Sequence, residues 1–341
     1  MSSRAKNIIY SIVLVAAVFI VYKYRQRNAN HPIMLEGATM GTTYHVTYFD
    51  QQKRNLKPQI DSLLIVFNQS MSTYISDSEI ATFNRGNSFQ FKLPYFKRVL
   101  DKCAEVVSGS GGAFDPTVMP LVNAWGFGPD KQTLPDSAQV DSIKQFVGFE
   151  KVDFNADSIW KKIPHVQLDF SAIAKGYGVD VVARLLREHG IANYFVEIGG
   201  EVATGGKNLK SKKAWQVGIL DPSSTLENQH YLAFASLENK ALATSGNYFN
   251  YKEVEGRKYS HTIDPATGFP AQREILSASV FADDCMTADA WATAFMAMGH
   301  EKAIAVSRKH PELLVFLVFS KGDGIGTYMS EETKDIVRFK N

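Results

Sequence analysis

Cysteine is scarce in this 341-residue chain: Cys103 and Cys285 are the only two. Neither belongs to a CxxC pair or a Cys/His cluster, which argues against a zinc site. Both lie in apolar helical patterns, where a free thiol behaves as a small hydrophobe, so the reading favours free cysteines over a disulfide. Charge of one sign is also missing. The formal net charge is +2 and no basic stripe interleaves with aromatics, so nothing speaks for nucleic acid. Internal repeats and low-complexity segments are absent, which excludes a solenoid or a long disordered tract. Long apolar runs are lacking except one, Ile8 to Tyr22.

That run is preceded by Arg4 and Lys6 and followed by Lys23, Arg25 and Arg27. It is shorter than the ~20 residues of a comfortable span, but snorkelling by Lys23 and the amphipathic Tyr24 can extend it. No small-x-small cleavage site or lipid-accepting Cys follows. The expectation is an uncleaved signal-anchor helix, with a cleaved signal peptide as the alternative. Residues 1–30 are then anchor and short linker, and residues 31–341 one catalytic domain.

What is present is the makeup of a globular domain, 45% hydrophobic and 21% charged. Thr43 to Phe49 alternates as a strand does. Pro58 to Met71 and Pro94 to Ser108 carry apolar residues at helical spacing. Residues 136–147 predict a short helix and 151–169 a strand pair. Ser171 is expected to cap a helix that ends at Gly190. Strands are expected at 193–198, 215–220, 231–237, 240–244, 275–282, 313–319 and 326–329, with a long helix over 286–298. Helices and strands mix without βαβ alternation, so the class is α+β.

Four segments carry chemistry. The run Ser260-His261-Thr262-Ile263-Asp264-Pro265-Ala266-Thr267-Gly268 closes on a turn signal and presents an imidazole. His261 can serve as a general base near neutral pH, or be a structural loop residue. Asp289 and Thr293 stand four apart, on one helix face, among Ala290, Trp291, Ala294 and Phe295. Carboxylate and hydroxyl are hard donors that suit Mg²⁺ completed by water and phosphate. The alternative is an Asp bonded to backbone. Asp169 to Tyr177 turns a strand end into a helix N-terminus, which suits a phosphate or is an ordinary cap. Gly111 to Thr117 is a glycine-rich loop, either an approach for a ligand or a tight connection.

Together these segments resemble the ApbE family, the FAD:protein FMN transferases. The resemblance also rests on Thr39-Met40-Gly41-Thr42, Met71-Ser72-Thr73-Tyr74, Ser78-Glu79-Ile80 and Phe83-Asn84. It continues through Leu121 to Gly128, Glu197-Ile198-Gly199-Gly200-Glu201 and Thr244-Ser245-Gly246-Asn247-Tyr248. It implies an α+β, T-fold-like domain with a mixed sheet and flanking helices, here preceded by one N-terminal transmembrane helix. It implies an enzyme that takes FAD as substrate and Mg²⁺ as cofactor, joins FMN to a Thr hydroxyl of an acceptor protein and releases AMP.

By the same resemblance, Met40, Tyr74, Ala113, Phe114, Asp115, Asp169, Lys175 and Ile263 match FAD-contacting positions. Ala172 (through its carbonyl), Asp289 and Thr293 match metal positions, and His261 matches the base. The acceptor is expected to be a subunit of a membrane redox complex. The chain is expected in the cytoplasmic membrane as a single-pass protein, with an extracytoplasmic, periplasmic catalytic domain. The competing functions are an FAD pyrophosphatase, with water as acceptor, and a flavin-binding protein without turnover.

Overall fold

The structure, a computed structural model, describes residues 3–29, 31–128, 134–225, 227–246, 251–254, 257–271, 274–322 and 324–340. Asn247 and Tyr248 of the Thr244–Tyr248 motif lie outside the described residues.

The chain opens with α1 (Ser3–Ala29) and the hairpin β1 (Ile33–Thr39) and β2 (Thr42–Tyr48). Next come α2 (Lys57–Met71), α3 (Glu79–Arg85), β3 (Ser88–Gln90) and α4 (Phe96–Ser110). Short helices α5 (Met119–Ala124) and α6 (Ser137–Lys144) precede β4 (Val152–Phe154) and β5 (Ser158–Lys161). After α7 (Ala174–Glu188) follow β6 (Tyr194–Ile198), β7 (Glu201–Gly205), β8 (Trp215–Leu220), β9 (Tyr231–Leu237) and β10 (Ala241–Gly246). The last part holds β11 (Tyr251–Val254), β12 (Arg257–Ser260), β13 (Ile275–Ala282), α8 (Cys285–Met298) and α9 (His300–Ser307). It ends with β14 (Leu314–Lys321), β15 (Gly324–Met329), α10 (Thr333–Ile336) and β16 (Val337–Phe339).

Eight strands form the main sheet in the order β1-β2-β6-β7-β10-β13-β14-β15. Helix α8 packs on β10 and β13 and also meets α7 and α4. That position explains its sequence. Nearly every residue from Cys285 to Met296 is buried, so the helix is apolar all round, as a central helix must be. Its N-terminus is closed twice. Asp284 accepts the Thr287 N–H at 2.8 Å, and Asp180 of α7 accepts the N–H groups of Cys285 and Met286 at 2.9 and 2.8 Å. Both cysteines are free and buried.

The N-terminal expectation is overturned. Ile8 to Tyr22 is helical within α1, but among the described residues no helix is long and apolar enough to cross a membrane. The apolar run measures roughly 22 Å along a helix axis, short of a hydrocarbon layer of about 30 Å, and basic residues bound it at both ends. The expected transmembrane helix is not supported, and neither is the single-pass inner-membrane protein built on it. Residues 25–29 continue α1, and β1 begins at Ile33.

Candidate active site

A cavity of about 1050 Å³ opens where the N-terminal end of α7, the middle of α8, the end of β10 and several loops converge. Tyr74, Ala113, Phe114, Asp115, Asp169, Ala172, Lys175, His261, Ile263, Asp289 and Thr293 all line it. Residues from positions 74 to 293 thus meet around one space. Met40 is the exception. It is not among the lining residues, and its side chain lies over α7 where Gly178 leaves room; a Cβ at 178 would come within 2.5 Å of the Met40 Cε.

The glycine-rich loop is held rigidly. Gly111 closes α4 in the left-handed region at φ 62°, and Gly112 follows at φ 80°. Asp115 spends its carboxylate inside the protein. Oδ1 accepts the Thr117 N–H at 2.8 Å and its hydroxyl at 2.6 Å, and Oδ2 accepts the Phe149 N–H at 2.9 Å. Burial pushes its pKa up, against those three bonds. What this loop offers a ligand is therefore mainly backbone and the Phe114 ring.

Asp169 works similarly. It accepts the Ser171 N–H at 2.8 Å and the Ser171 hydroxyl at 2.6 Å, while burial raises its pKa. The expected cap is thereby lost. Ser171 turns back to Asp169, and Ile173 precedes α7 without a side-chain acceptor. Asp289 supplies one instead: its Oδ2 accepts the Gly176 N–H at 2.9 Å across the α7–α8 contact.

Three ionisable groups share the centre. Lys175 Nζ donates to Glu201 Oε1, with Asp289 close by. Burial alone would lower the Lys175 pKa, but the charges of Glu201 and Asp289 outweigh it and hold the ammonium above the ordinary lysine value. Burial, with the Asp289 charge adding to it, pushes Glu201 up to about 8 against the pull of Lys175. Burial also raises Asp289, opposed by Lys175 and the Gly176 N–H.

Among the described residues no three His, Cys, Asp or Glu side chains group into a metal cage. The residues expected at a metal, Ala172, Asp289 and Thr293, all line the cavity, and the Thr293 hydroxyl lies 3.3 Å from that of Ser245. One Asp289 oxygen is taken by Gly176, which leaves Oδ1 for another partner. Such a set is too small to enclose a cation alone. It fits Mg²⁺, which keeps waters and takes one or two carboxylates together with substrate phosphates.

His261 sits on the cavity wall at the start of a closed loop. The Asp264 N–H donates to Phe269 O at 2.9 Å, Gly268 N–H to Asp264 O at 2.8 Å, and Ala271 N–H to Thr262 O at 2.8 Å. Asp264 is spent within this turn, accepting the Ala266 N–H at 2.9 Å and the Thr267 hydroxyl at 3.0 Å. Trp125 Nε1–H reaches Gly268 O at 2.9 Å and ties the loop to the small cluster of Leu121, Val140, Val147 and Ile263.

Sequence reasoning missed Glu201 as a member of the site. It stands in the motif Glu197–Glu201, but no spacing rule links it to Lys175, 26 residues away. The strand stretch Val217 to Leu220 also lines the cavity without a sequence signal.

The chain matches the ApbE family over residues 40–317. It is 38% identical to the FAD:protein FMN transferase of Vibrio cholerae, across 89% of this chain and 92% of that one. To the enzyme of the same name from Haemophilus influenzae it is 37% identical, across 90% and 92%. Among solved structures it resembles the flavin transferase ApbE from Vibrio cholerae, at 36% identity and a TM-score of 0.81 over 90% of this chain and 99% of that one. The ApbE protein of Thermotoga maritima aligns at 26% identity and a TM-score of 0.78, over 90% and 99%. The chain belongs to the ApbE family.

Proposed function

We propose that this chain transfers the FMN part of FAD to a Thr hydroxyl of an acceptor protein and releases AMP, with residues 31–341 as the catalytic unit. Flavin transfer to a target protein is the activity that the named relatives support. The observation that carries the finer reading is the convergence of His261, Lys175, Asp289 and Thr293 on one cavity large enough for a dinucleotide.

The chemistry is a displacement at phosphorus. The Thr Oγ forms a bond to the FMN-side phosphorus, the bridging P–O bond breaks, and AMP leaves with the bridging oxygen. The Thr proton passes to a ring nitrogen of His261. Lys175 places a positive charge beside the diphosphate. Asp289, Thr293 and the Ala172 carbonyl would hold Mg²⁺, which when bound neutralises charge on the phosphoryl oxygens. The loop from Gly111 to Thr117 and Ile263 position the nucleotide, and positioning supplies much of the rate in such reactions.

The test is mass spectrometry of an acceptor domain carrying a D-x-x-[ST]-[SG]-A-T-like segment, after incubation with the chain, FAD and Mg²⁺. A gain equal to FMN on the Thr is expected. Free FMN and AMP with an unchanged acceptor would assign a pyrophosphatase, and intact FAD a binding protein.

A further inference from the structure

Glu201 is buried at the start of β7, on the wall that also carries Lys175 and Asp289. Its Oε1 holds the Lys175 ammonium. Its Oε2 is buried and bonds to no group of another described residue. A buried acceptor without a donor is costly, and natural sites keep one where a ligand completes it. The transferase reading puts the FAD diphosphate beside Lys175, and this inference rests on it. Phosphate oxygens carry no proton for a carboxylate to accept and repel its charge. The donors that flank a diphosphate in FAD are hydroxyls, of the ribityl chain on one side and of the adenosine ribose on the other.

We infer that Glu201 is a substrate-binding residue with two tasks, Oε1 fixing Lys175 and Oε2 accepting a hydrogen bond from a sugar-type hydroxyl of bound FAD. The geometry explains why a carboxylate stands so near an anionic ligand. Half of it neutralises the lysine, and the other half reads a neutral polyol next to the phosphates. Replacing Glu201 therefore removes a contact that no change at Lys175 reproduces.

The experiment measures binding of FAD, FMN and AMP to the full chain in EDTA, by flavin fluorescence and calorimetry, with no acceptor present. Glu201→Met is expected to weaken FAD by about tenfold or more, the size of one hydrogen bond to a charged group. Glu201→Gln, which keeps an acceptor oxygen, is expected to recover part of that loss. The loss is expected to recur with one half of the ligand only: with FMN if the ribityl chain is the donor, with AMP if the ribose is.

Lys175→Met with Glu201→Met removes both charges and avoids a lone buried ion, so this pair keeps the comparison sound if the single variant unfolds. The loss is expected to persist between Lys175→Met and the double variant. Its disappearance there would mean that Glu201 acts only through Lys175 and would overturn the contact. A loss seen only with Mg²⁺ would assign Oε2 to a cation and overturn it as well. Unchanged binding in Glu201→Met, beside normal wild-type binding, sinks this inference alone; a wild-type chain that holds no FAD sinks the transferase reading with it.

Discussion

Gly176 of α7 donates its N–H to Asp289 Oδ2 of α8 at 2.9 Å, and the two helices touch where it does so. A Cβ at position 176 would lie 2.3 Å from the Cys285 carbonyl oxygen and 2.8 Å from the Asp289 Cβ. Backbone and a buried carboxylate cannot both give way. Gly176→Ala is therefore expected to force α7 from α8, with about 1–3 kcal/mol of lost stability. Flavin transfer is expected to fall much further, because Asp289 moves. Thermal unfolding and transfer rate, measured on one preparation, check this; a stable and fully active variant would mean that the close approach is not required.

Asp289 and Thr293 are proposed to share a cation, and they fail differently when altered. Asp289→Asn keeps an oxygen for the Gly176 N–H but removes the charge, so folding is retained while transfer drops by at least about a hundredfold. Thr293→Val keeps the shape and removes one oxygen donor. It is expected to raise the Mg²⁺ needed for half-maximal rate by about tenfold, with less change at saturation. EDTA is expected to stop transfer by the wild type and added Mg²⁺ to restore it. A Mg²⁺ titration of transfer rate for the three proteins distinguishes them, and wild-type activity in EDTA would remove the metal from the reaction.

Much of this was legible because periodicity is local. The strand Thr43–Phe49, the helix Pro58–Met71 and the long helix after Asp284 are written in runs of side chains, and the structure places them within a residue or two. What escaped depends on which of several possible partners a side chain takes, near or far in sequence. Ser171 has the right chemistry for a cap, but Asp169 competes for it and wins. Strand β7, from Glu201 to Gly205, is buried throughout and too short to alternate visibly. Lys161 lies in β5, inside the expected strand pair, but its partners were not visible in sequence. It donates to Asn84 O at 2.9 Å above the Phe83 ring, and burial lowers its pKa to about 8. The N-terminal run misled for a different reason: apolar composition was visible, but length decides whether a helix crosses a membrane.

Asp180 makes stability depend on pH. It accepts two N–H groups at the start of α8, yet burial, with the Asp284 charge adding to it, pushes its pKa up from 3.8 to about 7. The folded state therefore binds this proton more tightly than the unfolded chain does. Its contribution is fully present below about pH 4 and is lost as the pH climbs through 7. Asp180→Asn does not titrate. Its midpoint of thermal unfolding is expected to fall less between pH 5 and pH 8 than that of the wild type. Parallel melts across that range check this, and identical slopes would refute the raised pKa.

An indole anchors the loop that carries His261. Trp125 is buried, its Nε1–H donates to Gly268 O at 2.9 Å, and its ring faces Phe269 with centroids 5.6 Å apart. Gly268 itself sits at φ 78°, against Val140 and Lys144, so the loop can be drawn inwards only at a residue without a side chain. Trp125→Phe keeps an aromatic filler but leaves a buried carbonyl without this donor, a loss of about 1–3 kcal/mol. That penalty is paid locally, since Trp125 belongs to the small cluster around Ile263 and not to the main core beneath the sheet. The melting midpoint is accordingly expected to move little, while kcat/KM for FAD falls about tenfold as Ile263 and His261 lose their fixed positions. Steady-state kinetics beside a thermal melt separate the two effects. A large drop in melting temperature with unchanged kcat/KM would show that Trp125 supports the fold as a whole and not this loop.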